Sequence, residues 1–184
     1  MPEPSSYALL CILVVTLAAA IWDLRTGEIP NRLVALGALA SVLLPWLLAP
    51  FPGRAALFAE LTRMFAGGVL VSIVPALLFR AGGMGGGDLK LLAAVGLALG
   101  PFVGLEVELF AFCLAALYAP VRLIWEGKLV HSLKTMGVMA VRPLIPRDRR
   151  PAPVAPDELT SLRFGPAIFA ATLISTIYHL GGAR

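Results

Sequence analysis

Gly82-Gly83-Met84-Gly85-Gly86-Gly87-Asp88-Leu89-Lys90 is a glycine-rich stretch set between two long apolar runs. A carboxylate beside a hydrocarbon segment is costly and marks a functional site by default. Five glycines precede Asp88 in this stretch. Glycine lets a backbone approach another backbone, or a substrate, where a side chain would clash. One other acidic residue occupies a comparable place: Asp23, where the first apolar run ends. This pairing predicts that the chain folds to bring Asp23 and Asp88 together at one membrane face.

Composition sets the solvent. Of 184 residues, 59% are hydrophobic and 14% charged, and the mean hydropathy is +0.87. A soluble domain is roughly 45–50% apolar and about 25% charged. The expected fold is therefore all-α: a polytopic membrane protein of about six transmembrane helices, forming a single membrane-embedded domain over residues 1–184. Cys11 and Cys113 both lie in apolar runs without a C-x-x-C, so neither a zinc knuckle nor a disulfide framework can be argued. The net charge of +4 points to membrane orientation and not to nucleic acid, because the basic residues cluster in loops.

Read outward from the glycine stretch, spans are expected at residues 5–22, 32–49, 57–79, 89–105 and 109–124, with a last one running to about Leu180. Ala18-Ala19-Ala20 resembles a signal-peptide cleavage site, but the first basic residue is Arg25, and a signal peptide wants a basic start. Pro30 disfavours helix at Ile29, and Asn31 is a good N-cap for the second span. Gly67-Gly68 suits helix contact, and Gly96, Gly100 and Gly104 repeat every four residues as a small-residue packing face. From Leu89 to Gly100 is only 12 residues. Either the helix continues past Pro101, or Asp88 sits below the membrane surface. Glu106 and Glu108 are expected at the opposite side. Residues 125–163 read as a basic, proline-rich cytoplasmic loop, with an amphipathic surface helix at residues 129–141 in contact with membrane lipid.

Six spans put twelve of the Lys and Arg residues on one face and three (Arg54, Arg63, Arg184) on the other, which fixes the first face as cytoplasmic. Asp23 and Asp88 both fall there. Two neighbouring carboxylates can split a peptide bond without a metal, and no metal or other cofactor is expected. One, ionised, takes a proton from water; the other, protonated, gives a hydrogen bond to the scissile carbonyl. Close together they share a proton and titrate as a pair. Two aspartates at helix ends are also ordinary caps or interfacial charges, and placement alone leaves both readings open. Gly85, Gly86, Gly87, Lys90, Pro30 and Asn31 are candidate substrate-binding or loop-shaping residues. Lys90 either tunes Asp88 or sits at the interface, and Met84 reads as packing. Glu28 and Glu126 read as solvated charges, Arg163 as an anchor for the last helix, and His131 and His179 as interfacial, with no partner at metal-ligand spacing.

Gly85-Gly86-Gly87-Asp88-Leu89-Lys90-Leu91-Leu92 resembles the G-x-G-D motif of the prepilin peptidases, the type IV leader peptidases. Gly83-Met84-Gly85-Gly86-Gly87-Asp88-Leu89-Lys90 is similar to that family's longer form, G-M-G-x-G-D-x-K. Asp23-Leu24-Arg25 followed by Ile29-Pro30-Asn31 looks like its D-x-x-x-x-x-I-P-N segment, and Phe164-Gly165-Pro166 like its F-G-P at the last helix. The resemblance implies that Asp23 and Asp88 are the catalytic pair of an aspartic endopeptidase in the bacterial inner membrane. Its implied substrate is a prepilin with a short basic leader and a hydrophobic helix, cut at the cytoplasmic face. Larger members carry a cytoplasmic insert with paired C-x-x-C motifs, associated with N-methylation of the cut pilin. This chain has no such cysteines and resembles the short form of tight-adherence (Flp-type) systems, so protease activity is expected without the methyltransferase. Two other readings remain. A presenilin-like protease pairs its G-x-G-D with Tyr-Asp, where this chain has Trp22-Asp23. A small transporter or pilus assembly scaffold should show repeats or helices interrupted at the bilayer midplane.

Overall fold

The computed structural model describes residues 5–48, 53–125, 127 and 163–182. Among these it is all-helical: α1 (Ser6–Thr26), α2 (Asn31–Leu48), α3 (Gly53–Arg80), α4 (Gly86–Leu99), α5 (Pro101–Trp125) and α6 (Gly165–Gly182). In α1, α3 and α5, the stretches Ser6–Thr26, Ala56–Arg80 and Pro101–Val121 are long and apolar enough to cross a membrane. The chain is a polytopic membrane protein. The expected surface helix at 129–141, Glu126, His131 and most of the turn at 49–53 lie outside the described residues. The chain divides into two compact units, residues 1–114 with 163–184, and residues 115–162. The candidate site belongs wholly to the first.

α1 starts where the Ser5 hydroxyl accepts a hydrogen bond from the Ala8 N–H at 3.2 Å, the usual satisfaction of a free helix-start donor. It ends one turn later than its apolar run. Nothing in Asp23-Leu24-Arg25-Thr26 breaks a helix, so the stop falls at Gly27, which takes φ +75° and donates its N–H to the Asp23 carbonyl. Asp23 is thus a helix residue and not the first residue of a loop. Residues 27–30 form the short connection to α2.

The expected fourth span, 89–105, reads in the sequence as short and broken by Gly100-Pro101, and the structure breaks there. Gly100 takes φ +78° and its N–H caps Gly96 O, closing α4. Pro101 then opens α5, where its missing N–H costs nothing. The Arg63 guanidinium, paired with Glu60, donates to Leu99 O at 2.8 Å and holds the junction. Glu106 and Glu108 accordingly lie within α5, and the expected fifth span begins at Pro101. The 14 residues of α4 reach about 21 Å, short of a hydrocarbon core of about 30 Å. The helix does not continue past Pro101, which removes the first of the two options. Asp88 sits in the first turn of α4, ahead of the apolar run that starts at Leu89.

α4 is the packing centre. It lies against α3, α2 and α1, while α1 also packs on α6. Its Leu91, Leu92, Val95 and Leu99 are buried with Leu9 and Ile12 of α1 and Ile168 of α6. A helix buried on most sides has to be apolar on most sides, which its sequence supplies. The α3–α4 crossing depends on Gly67 and Gly96. A Cβ on Gly67 would strike the Gly96 carbonyl, and one on Gly96 would lie 2.8 Å from the Gly67 carbonyl carbon. Leu36, Phe65, Leu109 and Ile177 are exposed, as expected of side chains that meet acyl chains.

Candidate active site

Both sequence motifs converge at the end of the bundle that carries the α1–α2 connection and the start of α4. Asp23 is 4% exposed. Its Oδ2 accepts the Gly165 N–H at 3.0 Å. Gly165 is the first residue of α6, and the first N–H groups of a helix have no partner within it. A Cβ at Gly165 would lie 2.9 Å from Asp23 Oδ2 and 3.0 Å from Asp23 Cβ, so this approach requires glycine. The preceding Arg163 guanidinium donates to the Leu24 carbonyl, tying the entry of α6 to the last turn of α1.

Asp88 is the third helical residue of α4, whose N-cap is Gly85 in an extended conformation. Its carboxyl takes a hydrogen bond from the Gly85 backbone, the side-chain half of a capping box. Burial, first, and then the charge of Asp23 hold the Asp88 carboxyl above the usual carboxylate range, at about 7; the Gly85 bond offsets this in part. The charge of one aspartate thus bears on the other.

The two motif segments also touch directly. A Cβ on Gly87 would lie 3.0 Å from Ile29 Cβ, so Gly87 is where the α1–α2 connection rests on α4. Beside it, Lys90 Nζ donates to Asn31 Oδ1 at 2.8 Å. Asn31, expected as a cap, is instead the first residue of α2, and its side chain holds Lys90. Pro30 lies in the connection, half-buried. Gly86 and Gly87 belong to the first turn of α4 and not to a loop; Gly85 alone of the three is exposed. Met84 packs against the core. Glu28 is exposed in the connection. The role of Gly165 was missed. Its signal was the F-G-P resemblance, read only as a helix start.

His179, expected at the interface, faces a carboxylate of α5. Its Nε2 lies 3.2 Å from Glu106 Oε2, and Ser175 Oγ donates to Glu106 Oε1 at 3.0 Å. This contact joins α5 to the closing turns of α6, at the end of α6 away from Gly165. Among the described residues, no group of three or more His, Cys, Asp or Glu is placed to hold a metal ion.

Residues 9–120, more than half of the chain, match the type IV leader peptidase family. The chain belongs to that family. No curated protein and no solved structure matches it. As a type IV leader peptidase family member it is a membrane protease, and the matched stretch contains both Asp23 and Asp88. The peptidase family match stops short of α6, which supplies the hydrogen bond to Asp23.

Proposed function

We propose that the protein is an aspartic endopeptidase that removes the short basic leader of type IV, Flp-like prepilins at the cytoplasmic face of a bacterial inner membrane. Asp23 and Asp88 are its catalytic dyad and water its nucleophile. The observation that carries this reading is the meeting of the two aspartate segments, with Gly87 against Ile29 and Lys90 bonded to Asn31; burial and the charge of Asp23 raise Asp88 to about 7. Such a pair holds a single proton between them over a wide pH range. One carboxylate takes a proton from water as its oxygen attacks the scissile carbonyl carbon. The other acid gives its proton to the carbonyl oxygen. Collapse of the resulting diol breaks the C–N bond, returns one proton to the second acid and passes the other to the leaving nitrogen.

The prepilin supplies a hydrophobic helix for the bilayer and a basic leader for the cytoplasmic side, where the loops of the peptidase concentrate its own Lys and Arg. The exposed Gly85 and the half-buried first turn of α4 offer backbone for an extended segment to approach. Cleavage of a precursor with a basic leader and an apolar helix, in membranes carrying the wild-type chain, tests the proposal. Asp23→Asn and Asp88→Asn should each abolish cleavage while the protein still inserts, and a chelator should leave the wild type active. Cleavage that survives either substitution removes the dyad; inhibition by chelator points to a metal centre instead.

A further inference from the structure

The two acids of the site are held differently. Asp88 is bonded within its own helix, as an N3 residue folded back on its N-cap Gly85. Asp23 is held from outside, by the Gly165 N–H at the start of α6. A backbone N–H aimed at a carboxylate favours its charged form. The start of a helix, with its positive dipole end and unpaired donors, does the same. Gly165 supplies both, and the lack of a Cβ there lets the N–H reach 3.0 Å.

We propose that α6 divides the labour within the dyad: through Gly165 it makes Asp23 the base that takes the proton from water, and leaves Asp88 as the acid that protonates the carbonyl oxygen. This rests on the dyad reading above and assigns its two roles. Asp23 carboxylate accepts a water proton while the water oxygen bonds to the carbonyl carbon. The carbonyl π pair moves to oxygen, which takes the Asp88 proton. In the second half, Asp23 gives its proton to the leaving nitrogen as the C–N bond breaks, and a diol hydroxyl returns a proton to Asp88. Both acids end as they began. Gly165 touches no substrate atom in this scheme; it is a positioning residue acting through Asp23.

Asp23 is the more buried of the two acids, which opposes its charge, and the Gly165 N–H and helix start act against that burial. Other charged groups also stand on the elements packed around the pair. α4 brings Asp88 itself and Lys90, and the Lys90 amine is engaged with Asn31. The entry of α6 brings Arg163, whose guanidinium is engaged with Leu24 O. Arg32 on α2 and Arg25 on the last turn of α1 are exposed. The raised titration of Asp88 agrees with its part as the acid.

Two measurements test the assignment. The first is the pH dependence of kcat/KM for cleavage of a precursor peptide by the full chain in liposomes, for wild type and Gly165→Ala. A charge-assisted hydrogen bond contributes about one pH unit to the group it holds. The added methyl pushes the carboxylate off the N–H, so the acid limb should move up by about one unit while the alkaline limb stays. A lower rate with both limbs unmoved means that Gly165 serves structure only and overturns the proposal. The second needs no activity. Infrared difference spectra at pH 6, wild type minus Asp88→Asn, should show loss of a protonated carboxyl band. Loss of a carboxylate band instead reverses the roles and overturns the proposal. The dyad itself fails separately, if either Asp→Asn variant still cleaves.

Discussion

Gly87→Ala probes the contact that brings the two motif segments together. The new Cβ would stand 3.0 Å from Ile29 Cβ, and 3.5 Å from both the N and the O of Ile29. These are a β-carbon and backbone atoms, with no flexible end to swing aside, so the connection between α1 and α2 must retreat by a few tenths of an ångström. Stability should change little. Alanine in a helix gains about 0.5–1 kcal/mol over glycine, and mild overpacking costs about 1–3 kcal/mol, leaving a net loss of about 1 kcal/mol. Catalysis is more sensitive, since a displacement of about 1 Å at a reacting group costs on the order of a hundredfold. A shift of a third of that gives a loss of roughly fivefold. The assay is kcat for precursor cleavage in liposomes, alongside thermal unfolding of the same preparation. The expected result is a roughly fivefold lower kcat with the unfolding midpoint nearly unchanged. Wild-type kcat in a folded Gly87→Ala protein would show that the Ile29 approach does not set the geometry of the dyad.

Lys90→Met and Asn31→Ala should each lower cleavage, and the double variant should be little worse than either. A double-mutant cycle should return a coupling of about 1 kcal/mol; simple additivity would mean the two do not act together. Gly67→Leu should disrupt the α3–α4 crossing, with a destabilisation of about 3 kcal/mol read as loss of folded protein in detergent. Glu106→Gln with His179→Ala should lower thermal stability by about 1 kcal/mol while cleavage persists, because this contact lies away from the dyad. With Asp88 raised to about 7 and required in its protonated form, cleavage should fall as pH rises through that value. An alkaline limb well above it would contradict the part given to Asp88.

Much of the fold was legible because the bilayer is an unforgiving solvent. Long apolar runs must become helices that satisfy their own backbone, and Asp23 and Asp88 stood out as charges that hydrocarbon would not otherwise tolerate. That Gly67 and Gly96 serve close helix packing was legible from small-residue spacing, but not that they meet each other. The interruption of the fourth span at Gly100-Pro101 was legible, but not whether the helix runs on past it. Gly100 before Pro101 is compatible with a kinked continuous helix or a break, and only the left-handed turn at Gly100 selects the break. Long-range polar partners were also hidden. Lys90 and Asn31 are 59 positions apart, Glu106 and His179 are 73 apart, and Gly165 and Asp23 are 142 apart. No periodicity links such pairs; tertiary packing alone makes them neighbours. Gly165 was the hardest to see, because its contribution is a backbone N–H and the absence of a side chain.

The most direct test of the account is whether the two acids share one site at one membrane face. Cysteines placed by Asp23→Cys and Asp88→Cys, in a chain carrying Cys11→Ser and Cys113→Ser, can be treated with a short bis-maleimide crosslinker in intact membranes. An intramolecular link between the two positions, found by mass spectrometry of the digested protein and absent from either single-cysteine control, is the predicted result. Efficient labelling of the two cysteines from opposite sides of the membrane, with no link between them, would contradict the account.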